Sequence, residues 1–455
     1  MKPRILTRAE HRISRRDIDP SVLKVLYRLI NAGATAYLVG GGVRDLLLER
    51  RPKDFDVGTS AHPNQVRATF RNSRLIGRRF RLVHVFFGPQ NIEVATFRRL
   101  SEEPQLSGES DPIIRQDNTF GTPEEDALRR DFTVNALFYD PATFRVIDYV
   151  GGLADLEARV IRTVGSPAVR MREDPVRMMR AVRFASKLGF EIEPATRAAI
   201  VNFRQDLAKA SLPRLVDEIY KTLASTNGKR ALSMMHELGL LEILLPELAA
   251  HLNASGAGDQ CRTFKNMDAL SLSIGKGSSP SHALLLACLF LDLHMTRAAE
   301  KAGGSSHHQL AIDLVGSLRA RGFAKGDTEH MRLLVSAYPR LIAPTRATRG
   351  LIQRPYFEQA RDLHRLTAAY YGDATALERF IADPEEFIGG GHHGAEGNGP
   401  RRSRRSRQRW RRRGRRRFGS ATSGGSTVEP TSSEAPREEP DLSSRAQERI
   451  DKEQP

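Results

Sequence analysis

Leu38-Val39-Gly40-Gly41-Gly42-Val43-Arg44-Asp45 and, shortly after it, Lys53-Asp54-Phe55-Asp56-Val57 decide the reading of this chain. Residues 36–39 are short, apolar and bounded by glycines, which predicts a buried strand. Gly40-Gly41-Gly42 breaks it, and residues 43–48 read as a helix. Residues 55–57 centre a second short strand. In a strand, residues i and i+2 share a face, so Asp54 and Asp56 would lie side by side while Phe55 packs inward. Two neighbouring carboxylates repel unless a cation sits between them, and Mg²⁺ takes such oxygen ligands together with substrate phosphates. An isolated Asp-x-Asp is usually a solvated loop, so the context matters. The glycines let backbone approach a ligand closely, and free N–H groups at a helix start favour an anion. Arg44, one turn in, would reach a phosphate. The plainer alternative is a tight turn with Arg44 and Asp45 facing solvent.

The pattern around this stretch is α+β with a mixed sheet. Asp19-Pro20 reads as an N-cap with proline at the first helical position, and Leu23, Leu26, Tyr27 and Ile30 follow at helical spacing. Residues 82–87 and 92–97 read as strands joined by Gly88-Pro89-Gln90-Asn91, a hairpin signal. Glu93 alternates with apolar Ile92 and Val94. If its strand neighbours that of Asp56, Glu93 completes an acidic cluster; otherwise it is an ordinary outward glutamate. Residues 99–118 read as a mobile loop. Thr122-Pro123-Glu124-Glu125 is a capping-box start, and residues 146–150 form a last strand. From 152 to 385 helical periodicity dominates, around 212–224, 230–250, 282–293 and 329–337. Gly/Ser-rich loops are expected at 273–281 and 303–306. The stretch 250–281 has no clear reading.

The chain has 455 residues and a net charge of +17. Twelve arginines crowd into 401–417 with no acid among them, the remainder from 419 carries −4, and residues 1–400 carry +9. A mildly basic body and a dense basic block favour a polyanion, most simply nucleic acid. A solvated basic surface is the plain alternative for the body. From 389 the composition collapses into Gly, Ser, Pro, Arg and Glu, which cannot bury enough apolar surface to order itself. Trp410, the lone tryptophan, lies there. No continuous apolar run of membrane-spanning length occurs, and the charged start carries no secretory h-region. Cys261 and Cys288 make no disulfide framework and no zinc-ribbon or zinc-finger spacing with histidine.

Two further constellations carry charge. In Arg129-Arg130-Asp131-Phe132-Thr133-Val134-Asn135, three consecutive charges cannot all face solvent. A buried Asp131 needs a partner, and the adjacent arginines supply one, at the least as a structural ion pair. In Arg172-Glu173-Asp174-Pro175-Val176-Arg177, Asp174 reads as a helix N-cap. Arg177, Arg180 and Arg183 form a stripe opposite Met178, Ala181, Ala185 and Leu188. Such a stripe is usually a solvated face. An acid beside Arg177 also offers acceptors and a forked donor that suit the edge of a nucleobase.

These four motifs, in this order, resemble those of the class II tRNA nucleotidyltransferase and bacterial poly(A) polymerase family. The resemblance is firm over 20–225, weaker to 385 and absent in the tail. It implies a polymerase-β-like catalytic head at 20–150, a helical neck at 151–225 that recognises the base, a helical RNA-binding body at 226–387 and a disordered Arg-rich tail at 388–455. It implies that Asp54 and Asp56, with Glu93 as a possible third ligand, hold two Mg²⁺ ions, Mn²⁺ being an alternative. Asp131 is implicated at the active site with Arg129, Arg130 and Asn135. Gly41, Gly42 and Arg44 match triphosphate-contacting positions. Asp174 and Arg177 match the base-reading pair, with Arg180 one turn on.

Within the family, Ile76-Gly77-Arg78-Arg79-Phe80, followed by a strand and Gly88-Pro89, is similar to the bacterial poly(A) polymerase branch. The expected reaction is attack of an RNA 3′-hydroxyl on the α-phosphate of ATP with release of pyrophosphate, in the cytoplasm. The tail is expected to contact RNA or a protein. CCA addition to tRNA is the alternative, and an inactive RNA-binding protein on the same fold is the second.

Overall fold

Asp19 begins the first helix as its residue type requires, its carboxylate accepting from Ser21 N at 2.7 Å with Pro20 in the first turn. The structure, a computed structural model, describes residues 2–77, 81–99, 119–256, 261–300, 307–384 and 387. The helix, α1 (Pro20–Asn31), buries Val22, Val25, Leu26 and Leu29. That face is rotated from the expected one. Leu23 and Ile30 only flank the core, and Tyr27 is held at its rim because its hydroxyl donates to Pro141 O at 3.0 Å.

One eight-stranded sheet follows, built from β1 (Arg4–Leu6), β2 (Ala36–Val39), β3 (Asp56–Thr59), β4 (Ser73–Ile76), β5 (Leu82–Phe87), β6 (Gln90–Thr96), β7 (Leu137–Asp140) and β8 (Arg145–Asp148). Their order is β1-β8-β7-β2-β3-β6-β5-β4. Every neighbouring pair is antiparallel except β3 and β6. The sheet is therefore mixed, as expected, and its one parallel pair joins the strands bearing Asp56 and Glu93. The β5–β6 hairpin closes with Phe87 opposite Gln90, so Gly88 and Pro89 alone form the loop, with Gly88 at φ +58°.

The sheet is interleaved with α2 (Gly41–Leu47), α3 (Pro63–Thr69) and α4 (Pro123–Arg129). The capping box at α4 forms: Thr122 Oγ1 accepts from Glu125 N at 3.3 Å and Glu125 Oε2 accepts from Thr122 N at 2.7 Å. A single 3-10 turn (Thr133–Asn135) leads into β7, a strand the sequence pattern does not announce.

Beyond β8 the described residues are mainly helical, with a two-residue parallel pair, β9 (Val160–Ile161) and β10 (Glu191–Ile192). The helices are α5 (Gly152–Ala158), α6 (Pro167–Glu173), α7 (Val176–Leu188), α8 (Pro194–Phe203), α9 (Leu212–Leu223), α10 (Gly228–Glu237), α11 (Leu240–Leu244), α12 (Pro246–Ser255), α13 (Arg262–Gly275) and α14 (His282–Glu300), with more to Ala382. The stretch without a reading thus becomes parts of α12 and α13, and the expected loop at 273 begins only after Gly275.

α14 bears on the expectation of no membrane span. By length and composition it is apolar enough to cross a membrane, although a histidine and an aspartate interrupt it. Residues 283–294 are all buried, with α13 and the helix Lys325–Ile342 packed against it. A helix apolar on every side and covered by other helices is a core helix. All but the first residue of the loop expected at 99–118, the Arg78-Arg79-Phe80 part of the subgroup signature, the loop expected at 303–306 and the tail from 388 lie outside the described residues.

Candidate active site

The site begins where β2 ends. Gly40 has φ +72°, a conformation that glycine adopts without strain. A Cβ there would stand 3.0 Å from Arg130 Nη1 and 4.0 Å from Asp56 Oδ2. A Cβ on Gly42 would stand 3.3 Å from Phe55 and 3.5 Å from the Asp54 carbonyl. Both glycines therefore let this turn lie against the protein's own acidic segment. Gly41 meets only Arg44, at an ordinary 3.6 Å. No side chain caps α2 at Gly40, so the N–H groups of Gly41 and Gly42 open its first turn.

Arg44 is neither solvated nor aimed outward. It is 2% exposed. Its Nε and Nη2 donate to Asp45 Oδ1 at 2.8 and 2.6 Å, and its Nη1 donates to Asn135 Oδ1 at 2.5 Å. The expected reach to a phosphate is thus redirected: Arg44 braces the turn from beneath.

The acids lie beside it. Asp56 opens β3 directly opposite Glu93 of β6 on one flank and Val39 on the other. Asp54 stands just before the strand, so the two aspartates are not two positions of one regular strand, and Phe55 is only half-buried. Asp56 is an exposed residue. Crowding by protein atoms, then the Glu93 charge and, less, Asp54, push its carboxyl up to about 6 against the pull of Arg130. A carboxyl so raised by neighbouring acids is relieved by a cation among them, and carboxylate oxygens are hard donors. The residues present therefore fit a divalent ion. Glu93 Oε1 also lies 3.5 Å from His84 Nε2 across the hairpin.

Asp131 takes a different partner from those expected. Arg129 and Arg130 both turn to Asp126, Arg130 with Nε at 3.1 Å and Nη2 at 2.9 Å. Asp131 Oδ2 instead accepts from Arg180 Nε and Nη2 at 2.8 and 2.5 Å, and its Oδ1 from Phe132 N at 2.8 Å and Asn135 Nδ2 at 3.3 Å. Burial alone would raise its pKa, but Arg180 and these donors hold it below the ordinary carboxylate range. Asn135 joins the parts: its amide receives Arg44 and donates to Asp131, and its carbonyl receives Arg130 at 3.3 Å.

The stripe on α7 is not solvated. Arg177 donates to Glu173 Oε2 at 2.9 Å and to Arg170 O at 3.0 Å. Arg180 and Arg183 share Glu218 of α9 at 3.5 and 2.9 Å. Met178, Ala181, Ala185 and Leu188 are buried opposite, as expected. Asp174 does not cap α7 through its side chain, since Pro175 holds that place. Nor does it pair with Arg177. Both its oxygens are taken by Arg214 of α9, at 3.0 and 2.7 Å.

Sequence reasoning missed Glu218, Arg214 and Arg170. Glu218 falls on the buried face of amphipathic α9. A charge at an apolar position is the signal that marks it. Arg170, 4% exposed, donates to Arg130 O at 2.7 Å and so ties α6 to the end of α4. Arg214 is half-exposed and carries no such signal.

Comparison with known proteins places this geometry. Residues 36–162 match the Poly A polymerase head domain, and 189–252 match the family described as the probable RNA and SrmB-binding site of polymerase A. The chain is 40% identical over 400 residues to Poly(A) polymerase I of Escherichia coli O6:H1, covering 84% of this chain and 85% of that one. This chain belongs to the bacterial poly(A) polymerase family. It is also 51% identical over 258 residues to Poly(A) polymerase I of Salmonella typhi, a match spanning 55% of each chain and so about half of that relative's length. The CCA-adding enzyme of Bacillus velezensis is 39% identical over 238 residues, 51% of this chain and 58% of that one. Among solved structures, the Bacillus stearothermophilus CCA-adding enzyme in complex with CTP superposes with a TM-score of 0.59 at 28% identity, covering 81% and 84% of the two chains. A tRNA nucleotidyltransferase complexed with a primer tRNA and an incoming ATP analog, at 22% identity and a TM-score of 0.54, covers 80% and 98% and shares the fold.

Within the poly(A) polymerase frame, Gly40, Asp54, Asp56, Glu93, Asp131 and Asn135 fall in the head match, and Arg214 and Glu218 in the second match. The residues of α7 lie between the two. Nucleotidyltransferases of this kind use divalent ions, which accords with the acids around Asp56.

Proposed function

We propose that this protein adds AMP from ATP to RNA 3′ ends without a template, releasing pyrophosphate. The observation that carries the reading is Asp56 set opposite Glu93, with Asp54 and the Gly40 turn alongside. The head is assigned to 20–150, the neck to 151–225, the body to 226–387 and the tail to 388–455. Asp54 and Asp56 hold two Mg²⁺ ions, Mn²⁺ substituting, with Glu93 at their side. When bound, the ions supply activation of the 3′-hydroxyl and neutralise charge on the triphosphate. Gly41 and Gly42 offer backbone N–H groups to phosphate oxygens. Arg129 and Arg130 set positive charge beside them, while Arg44 and Asn135 hold the turn in place. Asp131 acts through Arg180 as a positioning residue between head and neck. Asp174 and Arg177 present acceptors and a donor to the base, Asp174 once Arg214 yields. Positioning and electrostatics carry this reaction, with little demand for protein acid–base chemistry. RNA is held through its phosphates by the basic body and the Arg-rich tail, in the cytoplasm.

Asp54→Asn/Asp56→Asn tests the reading. Incorporation of AMP is expected to disappear while RNA binding persists; incorporation that survives overturns the metal assignment. CCA addition is the second reading, favoured by the CTP-bound structural relative. The inactive RNA-binding reading is opposed by the presence of all three acids.

A further inference from the structure

Outside the head, a second group of metal-type donors is buried in the helical part. His251 stands near the end of α12, Cys261 immediately before α13, and Asp292 in the middle of α14. Among the described residues, theirs is the one set of three such side chains with ligand atoms all within 4.8 Å of one another. His251 Nε2 lies 3.1 Å and Cys261 Sγ 4.0 Å from the same oxygen, Asp292 Oδ2. All three residues are under 10% exposed.

Asp292 is the anomaly that needs explaining. It is a carboxylate on a helix whose neighbours from Ala283 to His294 are buried and almost wholly apolar. Burying a charge there costs free energy unless something pairs with it. His251 does so only when protonated. A divalent ion does so with neutral imidazole, and it also binds the thiol, which otherwise reaches Asp292 only by a 4.0 Å S–H contact.

We propose that His251, Cys261 and Asp292 form a Zn²⁺ site. Thiolate, imidazole and carboxylate together suit zinc better than Mg²⁺, which takes oxygen ligands. With ligand bonds of about 2.0–2.3 Å, tetrahedral donors stand roughly 3.3–3.8 Å apart. The observed 3.1 and 4.0 Å bracket that range, and the third separation, His251 to Cys261, is within 4.8 Å, so shifts of up to about 1 Å close the site. Binding displaces the thiol proton and leaves the cluster neutral, with one thiolate and one carboxylate against the dication. A supporting shell is in place. Tyr371 OH lies 3.5 Å from Asp292 Oδ1 and receives Asn266 Nδ2 at 3.0 Å. Cys261 and Asp292 both open onto a cavity of about 490 Å³ that Arg262, Lys265 and Tyr370 also line. Three protein ligands with an open fourth position facing a cavity is the arrangement in which water or an anion completes zinc. The donors come from three helical segments separated along the chain, which is why no finger or ribbon spacing exists and the sequence excluded only those. The ion would pin α12, α13 and α14 together.

The full chain decides this with Co²⁺ as the probe, in excess Mg²⁺ that occupies the head. One Co²⁺ per chain is expected, with a thiolate-to-cobalt charge-transfer band and intense tetrahedral d–d absorption. Zn²⁺ should abolish both. Cys288→Ser should keep the band, whereas Cys261→Ser and His251→Gln should lose it and the bound metal. Should those variants fail to fold, the wild-type spectrum still decides. Weak octahedral absorption without a thiolate band, or a band that survives in Cys261→Ser, overturns the site.

Discussion

The Asp131 carboxylate is clasped by Arg180, with Oδ2 2.8 Å from Nε and 2.5 Å from Nη2, across 49 residues of sequence. This contact joins the segment after α4 to α7, and Glu218 continues it to α9. Asp131→Asn should destabilise the protein by about 3 kcal/mol, because it leaves Arg180 facing a neutral amide. Asp131→Asn/Arg180→Met should cost less than the two single changes added together. The sign with pH is fixed. Asp131 is depressed in the folded state, so its contribution is present above its unfolded value of 3.8 and is lost as pH falls through the folded value. Denaturant titrations at pH 7 and pH 3 check both points, and the wild-type advantage should shrink at the lower pH.

Arg214 holds Asp174 by two hydrogen bonds, but its side chain is 48% exposed. Arg214→Ala should therefore change stability by less than about 1 kcal/mol. Its effect should fall on nucleotide use. With Asp174 released, KM for ATP shifts and discrimination between ATP and CTP changes. Steady-state incorporation with each nucleotide reads this, and unchanged selectivity in Asp174→Asn would remove Asp174 from base recognition.

Gly40→Ala places a Cβ 3.0 Å from Arg130 at φ +72°. It should cost about 1–3 kcal/mol and lower incorporation, since Arg130 must move away from Asp56. Gly41→Ala meets ordinary contacts at 3.6 Å and should be milder in stability. A thermal melt of each variant separates them.

His294 is buried, with Nε2 3.1 Å from His307 Nδ1. Burial and then His307 push it down to about 4 from 6.5. Between those values the unfolded chain binds a proton that the folded chain does not, so this group makes stability fall as pH falls from 6.5 to 4. His294→Gln should flatten that part of the pH–stability curve; an unaltered slope would contradict the burial argument.

Local chemistry was legible in the sequence, and long-range pairing was not. The Asp19 cap, the Thr122–Glu125 box and the strand at 82–87 follow from side chains acting within a few residues, and the structure has them. The sequence leaves the adjacency of Glu93 to Asp56 open, and the parallel β3–β6 pair supplies it. What failed was the choice of partners. Sequence adjacency pairs Asp131 with Arg129 and Arg130, yet α4 turns both toward Asp126. For Asp174 the sequence names no partner, and α9 brings Arg214 to it. A run of charges specifies that partners are needed, and only the packing of α7 against α9 says which. The trio of His251, Cys261 and Asp292 is hidden for the same reason, and two of its members lie in the stretch 250–281, whose pattern gives no reading.

The central claim is tested most directly by primer extension. The protein and Mg²⁺ are incubated with each nucleoside triphosphate separately, on a generic RNA oligomer and on a tRNA lacking its CCA end. A long ladder with ATP alone on the generic oligomer is the predicted result. A short, fixed, CTP-dependent extension confined to the tRNA, or no product on either RNA, would contradict it.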